Sequence, residues 1–174
     1  MSDLAAGDPA SVSATAAALT RAGSALAAEA DALEAAYRDL GRTWTGRASV
    51  DVRRRGAALT AACSTTAAEL QLVGTALQDL ATDLAELVAR ARAVAERADA
   101  DGLALQEGRV VLGYGIAGEA DPARAQDRER GRAELQRELD TVRTLLQRRR
   151  QRLVELLASS TDALSEATSV LGTR

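Results

Sequence analysis

The strongest constraint on this chain is a spacing. From Val52 to Ala98, apolar or small residues recur in alternating steps of four and three: Val52, Gly56, Leu59, Cys63, Thr66, Leu70, Val73, Leu77, Leu80, Leu84, Leu87, Ala91, Val94 and Ala98. Such steps lay a single stripe along a helix, whereas a strand would scatter the same residues over both of its faces. Sustained over many turns, the pattern predicts a helix from about Ala48 to Asp99, roughly 75 Å long at 1.5 Å per residue, packed lengthwise on other helices.

A shorter helix is expected before it. Gly7, Asp8 and Pro9 supply an opening, with Asp8 as the cap and Pro9 at the first helical position, where a missing N–H costs nothing. Val12, Leu19, Leu26, Leu33 and Leu40 then recur at every seventh position, and each is followed four residues later by Ala16, Gly23, Ala30, Tyr37 or Trp44. This is a heptad seam with large residues at one core position and mostly small ones at the other. Trp44-Thr45-Gly46 interrupts it, and Gly46 suits a tight reversal because glycine adopts backbone angles closed to other residues. The first helix covers part of the second, so the remainder of the longer one must meet something else.

A later helix of this chain could fold back on it, or the seam could stay open for a partner. In residues 103–112 the apolar positions alternate (Leu103, Leu105; Val110, Leu112) around Glu107-Gly108, which reads as a small β-hairpin or an irregular loop. A two-stranded hairpin is marginal alone and has to lie on the helices. Asp121-Pro122 repeats the cap-plus-proline signal. From Leu135 through Leu139, Val142, Leu146, Arg149, Leu153, Leu156, Ser160, Ala163, Ala167 and Val170 the alternating step runs on to Gly172, as one helix or as two broken near Ser159–Asp162. The expected fold is all-α: an elongated antiparallel helical hairpin or bundle of three to four long helices with a small β-hairpin or loop insertion. Residues 8–100 form the hairpin, 101–120 the β-hairpin and Gly-rich connector, and 121–172 a long C-terminal helix or helix pair packing on it.

Composition narrows function mostly by exclusion. Of 174 residues, 47% are hydrophobic but only 2% aromatic, so the apolar content is largely Ala, Leu and Val, suited to thin helix-on-helix seams rather than a thick core. There is no His, which removes the commonest general base and metal ligand, and one Cys, which rules out an internal disulfide. Cys63, on the seam and without a histidine to activate it, reads as a small buried hydrophobe. The net charge of −3 does not favour nucleic acid. Arg53-Arg54-Arg55 and Arg148-Arg149-Arg150 with Arg152 could touch phosphates, but nearby acids and the lack of stacking aromatics make them solvated faces, with Arg149 on the seam facing water or a carboxylate. GYGIAG (113–118) lacks the Gly-Lys-Ser/Thr of a phosphate loop and reads as a connector. The carboxylates fall mostly off the seams and group nowhere. No catalytic residue, cofactor or metal is expected. No run approaches the ~20 apolar residues of a membrane span, so no membrane insertion is expected, and the N-terminus has no secretory signal pattern.

A helix, a Trp-X-Gly turn and a longer heptad-patterned helix, carried by Trp44, Gly46 and residues 8–100, resemble the Trp-X-Gly family of type VII secretion substrates. Its members are helical hairpins that pair as four-helix homo- or heterodimers and leave the cell folded, without a cleaved signal peptide, through an ESX-type apparatus. The resemblance implies that Trp44 and Gly46 form the recognition motif, and that Leu70, Val73, Leu77, Leu80, Leu84 and Leu87 form the seam with a helical partner or within the bundle. The added segment resembles extended N-terminal domains of actinobacterial type VII effectors. The family's Tyr-X-X-X-Asp/Glu export signal is missing, since Gly41 follows four residues after Tyr37 and Gly118 four after Tyr114. By that resemblance the chain is a non-enzymatic secreted substrate, or a co-secreted partner or carrier whose companion supplies the signal, cytoplasmic before export. The alternative is a cytoplasmic coiled-coil adaptor or chaperone that stays inside.

Overall fold

The computed structural model describes residues 8–113 and 122–172. Three helices and one two-stranded antiparallel sheet follow in the order α1 (Pro9–Thr43), α2 (Arg47–Ala100), β1 (Leu103–Gln106), β2 (Arg109–Leu112) and α3 (Pro122–Gly172). The fold is all-α with a small β insertion. Helix α3 runs unbroken through Ser159–Asp162, because Ser and Thr tolerate a helix interior when their hydroxyls bond back to it. Thr161 Oγ1, for example, donates to the Leu157 carbonyl at 2.7 Å. Asp121 and most of GYGIAG lie outside the described residues.

The chain divides into two compact units. One comprises Met1–Val12 with Leu80–Gln151, and the other Ser13–Asp79 with Arg152–Arg174.

The first unit closes a core of large side chains. Val94 and Ala98 of α2, Leu103 and Val110 of the hairpin, and Leu135 and Leu139 of α3 form one buried cluster. Leu84, Leu87 and Ala91 of α2 form a second with Val142 and Leu146 of α3. The hairpin reaches this core because α2 ends cleanly. Gly102, at φ +71°, donates its N–H to the Asp99 carbonyl at 3.0 Å and turns the chain back. Glu107 and Gly108 then both take positive φ, 48° and 73°, the geometry of a two-residue turn whose twist matches the strands. Leu105 pairs with Val110 and Gln106 with Arg109. This pairing sends the Val110 N–H and C=O outward, where α3 meets them: Gln136 Oε1 accepts the N–H at 2.8 Å, and Arg132 Nη1 donates to the carbonyl at 3.4 Å. Arg132 also donates to Glu129 at 2.8 Å from Nε, and this hydrogen bond holds the exposed Glu129 carboxyl below the usual carboxylate range and raises the Arg132 guanidinium. Arg97 of α2 pairs with Glu138 of α3, and Arg149 with Asp83 at 2.9 Å. The seam arginine of α3 therefore faces a carboxylate.

The second unit packs differently. Asp8 opens α1 as expected, its two carboxylate oxygens accepting the N–H groups of Ala10 and Ser11 at 3.1 Å each. Along α1 the buried positions are the small ones, Ala16, Gly23 and Ala30. Leu19, Leu26 and Leu33 are half-buried and Leu40 is exposed. On α2 the side turned to α1 is also small. A Cβ on Gly23 would stand 2.9 Å from the Ala67 carbonyl, and one on Gly74 would stand 3.0 Å from that of Ala16 and 2.5 Å from Thr20 Oγ1. Tyr37 lies over Gly56, and Ser13 Oγ donates to Gln78 at 2.9 Å. Contacts that climb α1 thus descend α2. The expected stripe of large residues is corrected here: Thr60, Ala67 and Gly74, one position from the leucine-bearing stripe, are buried, while Leu70, Val73 and Leu77 are only half-buried. Backbones this close leave no room for leucine between them, so the leucines flank the seam.

Candidate functional site

The α1–α2 connection is built from short-range rules. Helix α1 finishes with Trp44 N–H bonded to the Leu40 carbonyl at 3.0 Å. Gly46 takes φ +113°, and a Cβ there would meet nothing within 4 Å, so glycine is required by the backbone angle rather than by space. Ser49, 1% exposed, donates its hydroxyl to the Trp44 carbonyl at 2.8 Å and ties the start of α2 to the end of α1. Trp44 is thereby held in place yet remains 39% exposed, with Leu40 at 36% and Val50 at 56% nearby in sequence. Around them stand arginines. Arg42 approaches Asp39 at 3.4 Å and Arg54 approaches Asp51 at 3.6 Å, both exposed, while Arg53 Nε donates to the Ser49 carbonyl at 3.3 Å.

Of the residues expected to form a partner or bundle seam, Leu84 and Leu87 are buried against α3 within the first unit. Leu80 is half-buried there, and Leu70, Val73 and Leu77 are half-buried in the second unit. The structure therefore brings Leu84 and Leu87 into an internal core. It leaves the other four half-buried.

Other candidate chemistry does not assemble. Cys63 is a free, half-buried thiol. Among the described residues, no three His, Cys, Asp or Glu side chains are grouped to hold a metal ion, and no helix is long and apolar enough to cross a membrane. An open pocket of about 290 Å³ in the second unit lies between α2 (Ala58, Ala61, Ala62, Thr65) and α3 (Ala163, Glu166, Ala167). Five alanines with one carboxylate at the rim offer no convergent polar groups to orient a substrate. Thr60 Oγ1 and Ser160 Oγ are buried without a partner, but neither lines that pocket.

Sequence reasoning found Trp44 and Gly46 but missed Ser49, Leu40 and Val50 as parts of the same turn. The signal for Ser49 was a small hydroxyl at the start of α2, directly after the glycine. Leu40 was assigned to a seam because its heptad spacing is faultless, yet it is 36% exposed. Comparison with known proteins finds no matching family model, no similar curated protein and no similar solved structure.

Proposed function

We propose that this is a non-enzymatic helical protein associated with type VII secretion, acting as a secreted substrate or co-secreted partner through helix–helix pairing. The observation that carries this reading is the α1–α2 turn. Its single Trp is partly exposed, and its shape is fixed by the Gly46 backbone angle and the Ser49–Trp44 hydrogen bond. A residue held in place while left accessible suits recognition better than core formation. The half-buried leucines beside the small-residue seam, Leu19, Leu26 and Leu33 on α1 with Leu70 and Leu77 on α2, give a second helical protein a surface to cover, as an antiparallel hairpin of this family would.

The test is fractionation of the native host carrying tagged protein or its Trp44→Ala variant, with a cytosolic marker for lysis. Protein in the medium without the marker, lost for a variant that still accumulates folded in the cell, supports export read at the turn. Protein confined to cells in both cases moves the reading to a cytoplasmic adaptor or chaperone.

A further inference from the structure

The turn carries more than its indole. Between Arg38 and Arg55 there are six arginines and two aspartates, an excess of four positive charges in a chain whose total is −3. The two aspartates reach only Arg42 and Arg54, at 3.4 and 3.6 Å and with exposed side chains, so solvent screens what neutralisation they give. Arg47 and Arg55 take part in none of the ion pairs among the described residues. Within the same stretch stand three of the exposed large apolar residues of the molecule, one on each helix and one in the connector: Leu40, Val50 and Trp44.

We infer that this tip docks on an anionic lipid bilayer, with Trp44 at the level of the headgroups, Leu40 and Val50 beside it, and the arginines against the charged surface. Tryptophan, with an apolar body and one N–H, is suited to the membrane–water interface, and anionic lipids attract arginines lying within a Debye length of about 8 Å. A bilayer is favoured over an acidic protein because the three apolar side chains come from three successive elements around a bend, with arginines between them. A soft interface accepts such side chains without a fixed match of shape, whereas a protein pocket would need to fit them. The docking is peripheral and requires no spanning helix. It does not depend on export, so its failure would leave the secretion reading where it stands.

Trp44, as the single Trp, is its own reporter. Full-length protein is mixed with vesicles of phosphatidylcholine, with and without phosphatidylglycerol, while emission and co-sedimentation are followed. The expected result is a blue shift and sedimentation with the anionic vesicles alone, with the bound fraction falling at least tenfold between low and high salt. Arg47→Glu with Arg55→Glu lowers partitioning by more than tenfold, each lost arginine alone being worth about fivefold. Arg124→Glu with Arg128→Glu, at the start of α3 and equal in charge change, stays within twofold and controls for net charge. Circular dichroism checks that each variant is folded, and Trp44→Ala, followed by sedimentation, weakens binding several-fold. No binding at low salt, equal binding to neutral vesicles, or sedimentation without an emission shift each overturns the proposal. A shift induced by poly-glutamate but not by vesicles overturns it as well and reassigns the tip to an acidic protein.

Discussion

The two units solve the same problem, pairing long helices from an alanine-rich chain, by opposite means. In the first, Leu135, Leu139, Val142 and Leu146 of α3 stand between the helices, and the hairpin adds Leu103 and Val110 where a helix pair alone would leave the core open. In the second, α1 and α2 meet through Ala16, Gly23, Ala67 and Gly74, and the leucines are displaced to the flanks. Large residues in a seam exclude water by filling it, and small ones exclude it by letting backbones touch. The first solution finishes its own core. The second brings α1 and α2 together while leaving the leucines beside their seam half-buried.

The difference makes mutational sensitivities run in opposite directions. Leu139→Ala, at a fully buried site of the first unit, should cost about 2–5 kcal/mol in urea unfolding, the sum of lost transfer energy and an unfilled cavity. In the second unit it is addition that hurts. Gly74→Val drives side-chain atoms into Thr20 and the Ala16 carbonyl and should cost about 1–3 kcal/mol. Truncation there should cost less: Leu26→Ala, at a half-buried flank, removes about 1 kcal/mol from the folded chain. The same change should weaken association with itself or a partner, measured by analytical ultracentrifugation. If Leu26→Ala proves as costly as Leu139→Ala, the flanking leucines belong to a closed core and the contrast collapses.

The heptad stripes carried the helices and their ends, because local rules set them: the Asp8 cap, the Gly46 break, the Glu107-Gly108 turn. Which face of α2 meets α1 was not legible. The four-and-three step is satisfied by neighbouring stripes at once, and reading by hydrophobicity selects the leucines. The closest approach is instead decided by Gly23, Ala67 and Gly74, whose virtue is lack of bulk. The resting place of the hairpin was equally hidden, since Val110 is held by Gln136 and Arg132, contacts that no periodicity encodes. At the candidate site, Trp44 and Gly46 stood out as a rare residue at a break. Their neighbours Leu40 and Val50 did not, because exposure is set by tertiary packing that local spacing does not encode.

The smallest expected effect concerns how the first unit fastens its hairpin. Arg132 bridges Glu129 and the Val110 carbonyl, so protonating Glu129 should loosen the arginine that restrains β2. The hydrogen bond from Arg132 lowers the folded-state pKa of Glu129, so its contribution is present above the unfolded value and is lost as pH falls through the lowered folded one. An NMR titration should therefore shift the Val110 amide at greater acidity than the titration of an unperturbed glutamate. Glu129→Gln should abolish that late step and leave the Val110–Gln136 hydrogen bond in place. A Val110 shift that tracked an ordinary glutamate, or that survived the substitution, would detach the hairpin from this pair. The fastening would then rest on the Val110–Gln136 hydrogen bond and on the packing of the buried Leu103 and Val110.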